Sequence, residues 1–275
     1  MNGLHAAEIE IINPQITKGD IRFAVFDFDG TISLIREGWQ DIMIPMMVNI
    51  LVATGTKEPE EKLTEVVKEF VSRLTGKQTI YQMMRLAEEV AKRGGHPEEP
   101  LAYKHQYHER LWERIESRVM GLKDGSVDPK TYMVPYADQM LKALQSRNVT
   151  LFLASGTDLN YVQDEVAALG LSHYFDGGIY GALDKHEDFS KQMLLNEIMT
   201  THGLSGAELL VVGDGYVEIE EGRRVGGISI GVASDEARRS GIDAWKRTRL
   251  IEAGADIIIP EFQAWRQLTE YLFDV

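Results

Sequence analysis

The chain has 275 residues, 44% of them apolar, which is enough for one large core and a smaller appended domain. Asp and Glu total 43 against 29 Lys and Arg, and the formal charge of -14 opposes nonspecific nucleic-acid binding, so any positive charge that meets an anionic ligand must be local. The absence of cysteine excludes disulfides and thiol catalysis, and no apolar segment reaches membrane-spanning length.

In chain order, Ile9, Ile11 and Ile12 in the tail suggest an edge strand or a contact with the core. This tail carries neither the cationic nor the apolar half of a secretion signal, and the expected location is the cytoplasm. The run Phe23-Ala24-Val25-Phe26 reads as a strand, and Asp27, Asp29, Gly30 and Thr31 follow at its end. Side chains two apart on a strand face the same way, so Asp27 and Asp29 can converge on one cation unless the turn at Gly30 redirects the second. Carboxylates this close repel, and a divalent metal such as magnesium removes that cost. The alternative is an Asp pair that only forms a turn and caps a helix.

From Arg36 to Pro135 the pattern turns helical. Trp39 to Ile50, Leu63 to Leu74, Tyr81 to Val90 and Pro100 to Met120 each carry apolar residues at helical spacing, as expected of helices packed on one another. Arg36, Lys77, Gln78 and Arg85 are the polar residues here that could read a sugar or a carboxylate. After a helix over Ala137 to Leu144, the strand Val149 to Ala154 ends in Ser155-Gly156-Thr157, which offers a hydroxyl and backbone N–H groups to an anion at the start of the next helix, Leu159 to Leu169. Thr157 or Asp158 would cap that helix.

A short strand over Gly178 to Gly181 is followed by Lys191, which opens a helix where its charge opposes the helix dipole and calls for a nearby anion. Lys185 and His186 lie just before it as possible substrate contacts. The strand Leu209 to Val212 ends in Gly213-Asp214-Gly215, an acid at a strand's carboxyl edge, where open parallel sheets bind ligands. A helix over Glu221 to Val225, strands over Gly227 to Val232 and Ala255 to Pro260, and a helix over Phe262 to Leu272 complete the chain, with Asp235 to Gly241 a helix or loop beside the site. Strands alternating with helices predict an α/β fold with a doubly wound, mostly parallel sheet.

The segments Asp27-Phe28-Asp29-Gly30-Thr31, Ser155-Gly156-Thr157, Lys191 and Gly213-Asp214-Gly215-Tyr216-Val217-Glu218 resemble, in order and spacing, the four motifs of the haloacid dehalogenase-like hydrolases. The flanking sequence is similar to the phosphoglycolate phosphatase and beta-phosphoglucomutase branch, from about Ile21 onward. The resemblance implies a Rossmann-like core over 1–36 and 135–275 and an inserted all-helical cap domain over 37–134, which opens for substrate and closes to exclude water.

It also implies roles. Asp27 would attack phosphorus to give an aspartyl phosphate, and Asp29 would protonate the leaving oxygen and then activate water. Mg2+ would sit on the Asp27 side chain, the Asp29 main-chain carbonyl and Asp214. Thr31 would orient the first motif, while Ser155, Gly156 and Lys191 would hold phosphoryl oxygens, with Lys191 also offsetting the nucleophile's charge. The family commonly has Asp near Glu218, whose longer side chain would reach the metal by a different rotamer or through water; Glu220 and Glu221 read as solvent-facing helix acids, and Glu220 would substitute only if the turn is drawn differently.

Family members that displace halide from carbon need no acid two residues after the nucleophile, whereas phosphate-ester hydrolysis benefits from one that protonates the departing alkoxide, so Asp29 favours phosphoryl transfer. The expected activity is Mg2+-dependent hydrolysis of a small phosphorylated metabolite of the phosphoglycolate or sugar phosphate class. A phosphohexomutase and a noncatalytic interaction protein on the same scaffold are the alternatives. There is no GxxxxGK[ST] loop for a nucleotide-dependent kinase, and the residues carry no statement of oligomeric state.

Overall fold

The computed structural model describes residues 9–183 and 185–274. Among them one seven-stranded sheet is formed by β1 (Glu10–Ile11), β2 (Phe23–Phe26), β3 (Thr150–Asp158), β4 (Gly178–Ala182), β5 (Leu209–Gly213), β6 (Ile228–Val232) and β7 (Ile257–Ile259), in the order β1-β7-β6-β5-β2-β3-β4. All neighbours are parallel except β1, which pairs antiparallel with β7 as Glu10 opposite Ile258 and Ile11 opposite Ile257. The tail thus supplies an edge strand, as its isoleucines suggested; Met1 to Glu8 lie outside the described residues.

Four helices follow β2: α1 (Gln40–Val52), α2 (Glu60–Leu74), α3 (Thr79–Lys92) and α4 (Pro100–Lys123). Further along come α5 (Ala137–Gln145), α6 (Leu159–Ala168), α7 (Lys191–His202), α8 (Tyr216–Arg224), α9 (Ala244–Ala253) and α10 (Trp265–Phe273). The chain divides into two compact units, Met1–Glu37 with Arg118–Val275, and Gly38–Ser117.

In the larger unit, β2 and β5 are buried at every position, the pattern of central strands covered on both faces. Alternation along β2 sends Phe23 and Val25 to one face, where they pack with Leu194, Leu195 and Ile198 of α7. Phe26 faces the other way and meets the ring of Phe262, with centroids 6.5 Å apart. The sheet is therefore doubly wound, with apolar side chains on both faces.

The smaller unit is helical. Met43, Met46 and Met47 of α1, Leu63, Val67 and Phe70 of α2, and Leu86 and Val90 of α3 are buried at the spacing read from the sequence, but the stripes are completed by Leu51 and Met83, whereas Met84 is exposed. Glu89 is 1% exposed and is held by Arg85 and Arg93, so Arg85 is already engaged by a carboxylate of its own helix. Lys77 is exposed and Gln78 is buried.

Local structure departs from expectation at three places. β3 does not stop at Ala154: it runs through Ser155, Gly156 and Thr157 to Asp158, which pairs with Ala182 after a register shift, so these residues are irregular strand and not the first turn of α6. Asp158 is the N-terminal flanking residue of α6 but makes no side-chain cap bond. α8 starts at Tyr216, five residues before Glu221, because the Glu218 carboxylate accepts the Gly215 N–H at 2.8 Å and closes the first turn. α9 was not foreseen, although Asp243 caps it by accepting from the Trp245 and Lys246 N–H groups, and Gly254 ends it with φ +101.

Candidate active site

The site lies at the carboxyl ends of three adjacent strands of the larger unit, β5, β2 and β3. Asp27 follows β2, Asp214 follows β5, and Ser155 lies on the irregular end of β3. Lys191 enters from the first turn of α7, where Ser190 caps the helix by accepting the Met193 N–H at 3.1 Å. The unfavourable placement of a cation at a helix start is compensated as the sequence required: Lys191 Nζ donates to Asp27 Oδ1 at 2.7 Å and to Glu218 Oε2 at 2.9 Å. All three side chains are under a tenth exposed.

Burial pushes the Asp27 carboxyl well above its ordinary range, with Glu218 and Asp214 adding to the rise and Lys191 opposing it. For the Lys191 ammonium, burial acts downward, but Asp27 and Glu218 together outweigh it and raise its pKa. Lys185, the other lysine of this stretch, is exposed at the start of a short 3-10 turn, and His186 pairs with Glu187 at 3.3 Å.

Asp29 turns away from Asp27. Its Oδ2 accepts from Thr157 Oγ1 at 2.9 Å and from Ser155 Oγ at 3.4 Å, so the two acids have different partners. Its Oδ1 is buried without a hydrogen-bond partner, 3.8 Å from Arg36 Nε. Burial lifts the Asp29 carboxyl to about 6, with Arg36 acting against the rise. Arg36 is itself gripped by Glu165 of α6 through Nε at 3.1 Å and Nη2 at 2.6 Å. Thr31 is fully buried and its Oγ1 has no hydrogen-bond partner.

Three glycines make room for the acids. Gly30 has φ +75, and a Cβ there would stand 2.2 Å from Asp214 Oδ2. At Gly213 and Gly215 a Cβ would meet the Glu218 side chain at 2.3 and 2.8 Å, so the longer acid folds back over two residues without side chains. Asp27, Asp214 and Glu218 thereby bring one carboxylate oxygen each within 4.8 Å of one another. Oxygen donors grouped in this way suit a hard divalent cation such as Mg2+. The Asp29 side chain is not part of this group.

Two further residues were not singled out by the sequence. Lys246 of α9 donates to Asp214 Oδ2 at 2.8 Å and to Glu236 Oε1 at 2.6 Å, and a Cβ on Gly30 would lie 3.1 Å from that same Glu236 oxygen. The only local signal was the Asp243 cap that opens α9, four residues before its first basic pair is complete.

Among the described residues, no helix is long and apolar enough to cross a membrane. No curated protein matches the chain in sequence. Its fold is similar to that of a predicted phosphoglycolate phosphatase from Haemophilus somnus, with TM-score 0.58, 15% identity, and coverage of 91% of this chain and 98% of that one. It is similar also to a beta-phosphoglucomutase from Clostridium difficile, with TM-score 0.60, 13% identity, and coverage of 92% and 98%. A haloacid dehalogenase-like protein from Agrobacterium tumefaciens matches with TM-score 0.56, 17% identity, and coverage of 90% and 97%. The family model described as haloacid dehalogenase-like hydrolase matches residues 21–226, and with its acids at the ends of adjacent parallel strands the chain belongs to that family.

Proposed function

We propose that the protein is a Mg2+-dependent phosphatase that hydrolyses a small phosphate monoester of the phosphoglycolate or sugar phosphate class through an aspartyl phosphate on Asp27. The observation that carries this reading is the division of labour between two acids two residues apart. Asp27 is held by a buried lysine, while Asp29 is turned to Thr157 and Ser155 with its carboxyl lifted to about 6. Asp27 is buried, and the Lys191 ammonium beside it favours the ionised form that attacks; Asp29 is placed to give and take a proton near neutral pH.

In this reading the Asp27 carboxylate attacks phosphorus as the bond to the leaving oxygen breaks, and Asp29 delivers its proton to that oxygen. Asp29 then takes a proton from the water that attacks the phosphoryl group, which frees Asp27 and releases phosphate. Lys191 keeps the charge of Asp27 and of the incoming phosphate from adding up, and Ser155 with the backbone at Gly156 meets phosphoryl oxygens. Asp27, Asp214 and Glu218 would hold Mg2+, with the Asp29 main-chain carbonyl as a further donor. When bound, the ion supplies positive charge that offsets the repulsion between these acids and a phosphate. Residues 37–134 would act as the substrate-reading cap of a Rossmann-like catalytic core.

The test is inorganic phosphate release from a panel of small phosphomonoesters, including phosphoglycolate, hexose phosphates and nucleotides, with Mg2+, with EDTA and with Asp27→Asn. Release that needs the metal and disappears in Asp27→Asn is expected. Isomerisation of a hexose phosphate that depends on a bisphosphate activator, with little phosphate released, would move the assignment to a mutase. No reaction of either kind would favour a noncatalytic role.

A further inference from the structure

Two lysines, Lys191 buried and Lys246 mostly buried, share the acids of this site, and each straddles two carboxylates. Lys191 spans Asp27 and Glu218; Lys246 spans Asp214 and Glu236. Only the first belongs to a motif of the family resemblance. The second comes from α9, and its side chain is 13% exposed while those of Asp214 and Glu236 are 12% and 20% exposed. A lysine at this depth must be matched by negative charge, and the two acids supply it.

The arrangement is more than a local ion pair because of where Asp214 stands. Asp214 is one of the three acids whose oxygens lie within 4.8 Å of one another, so it faces that group and also Lys246 through Oδ2. Glu236 accepts from the same ammonium and lies, like Asp214, against the turn at Gly30. Without the ammonium, Asp214 and Glu236 would be two poorly solvated acids beside Asp27 and Glu218. Such a pair either takes up protons or recruits a cation.

We propose that Lys246 is a built-in counter-ion, a positioning residue that occupies the place between Asp214 and Glu236 that a second cation would otherwise take, and so restricts the acid cluster to one divalent ion. The proposal rests on the reading of Asp27, Asp214 and Glu218 as the metal-holding acids. Glu236 is then the anchor that keeps Lys246 from following Asp214 into the metal group, and α9 exists at this edge of the site to deliver the charge.

The test counts bound Mn2+ by equilibrium dialysis and measures Tm in EDTA and in saturating Mn2+, for the wild type, Lys246→Met, Lys246→Gln and Lys246→Met with Glu236→Gln. The wild type should bind one equivalent. Lys246→Met and Lys246→Gln should bind two, and the double variant should return to one. The neutral variants should be less stable in EDTA and gain at least about 4 °C more from Mn2+ than the wild type does. One equivalent on both the wild type and the single variants, with no extra gain in Tm, would overturn the role of Lys246 and leave the three-acid reading intact. Two equivalents on the wild type would also overturn it. No Mn2+ on the wild type would sink the three-acid reading and this role with it. A variant that stays unfolded with and without Mn2+ would count against the proposal, since an ion should replace the missing charge.

Discussion

Lys191 Nζ lies 2.7 Å from Asp27 Oδ1 with both side chains under a tenth exposed, so neither charge can fall back on water if the other is removed. Lys191→Met leaves Asp27 and Glu218 as adjacent buried acids. Without metal, its stability should fall by about 3–5 kcal/mol in urea denaturation. On the proposed mechanism, phosphate release with Mg2+ should fall by at least about a hundredfold, because the charge that would meet the transferring group is lost. A variant as stable as the wild type in EDTA would contradict the tight pairing.

Arg36 and Glu165 should behave as one unit. Both are under a tenth exposed, and their two-point contact leaves each dependent on the other. Arg36→Met is expected to cost about 3–5 kcal/mol, and the double change with Glu165→Met much less than the sum of the singles. Equilibrium unfolding of the four proteins in a double-mutant cycle measures this, and simple additivity would rule it out.

The Asp29 carboxyl makes the stability of the fold depend on pH. Its carboxyl sits at about 6 in the folded chain against an ordinary 3.8, so the folded state holds the proton more tightly. The stability it contributes is present below about pH 4 and is lost as pH rises through about 6. Asp29→Asn, which mimics the neutral acid, should therefore match the wild type at pH 4 and exceed it by about 1–3 kcal/mol at pH 7.5 in EDTA. In the same variant phosphate release should drop by about 10²–10⁴. Equal stability of the two proteins at both pH values would contradict burial as the cause of the shift.

Gly30 and Gly170 separate backbone strain from collision. Both have positive φ, +75 and +72, but a Cβ at Gly30 meets Asp214 Oδ2 at 2.2 Å while one at Gly170 meets nothing within 4 Å. Gly170→Ala should cost about 1–2 kcal/mol and leave the Mg2+ requirement unchanged. Gly30→Ala should cost more and raise the Mg2+ concentration for half-maximal phosphate release by about tenfold, because Asp214 must move. Thermal melts and Mg2+ titrations of both variants check this; equal effects would place the cost in the backbone alone.

Much of the fold could be read because its signals are local. Phe23 to Phe26 and Leu209 to Val212 are apolar at every position, and strands buried on both faces demand that composition. The stripes in α2 and α3 repeat at helical spacing for an equally local reason. α9 escaped because its first seven residues, Ala244-Trp245-Lys246-Arg247-Thr248-Arg249-Leu250, are too polar to announce a helix, and only Leu250 and Ala253 are buried in the whole helix. The start of α8 escaped because a carboxylate three residues in, not a hydroxyl before the helix, closes its first turn.

The sequence by itself determined that acids stand at the ends of parallel strands and that a lysine opens a helix and needs an anion, since these follow from patterns within a few residues of each site. The family resemblance also set Lys191 against Asp27, 164 positions apart, but only the tertiary structure decided the other pairings: Lys191 with Glu218, Arg36 with Glu165 across 129 positions, and Lys246 with Asp214 across 32. Hydrophobic periodicity specifies which face of an element is buried, but a buried charge is matched by whatever partner the packed elements bring within about 3 Å, and that distance exists only once the sheet has formed.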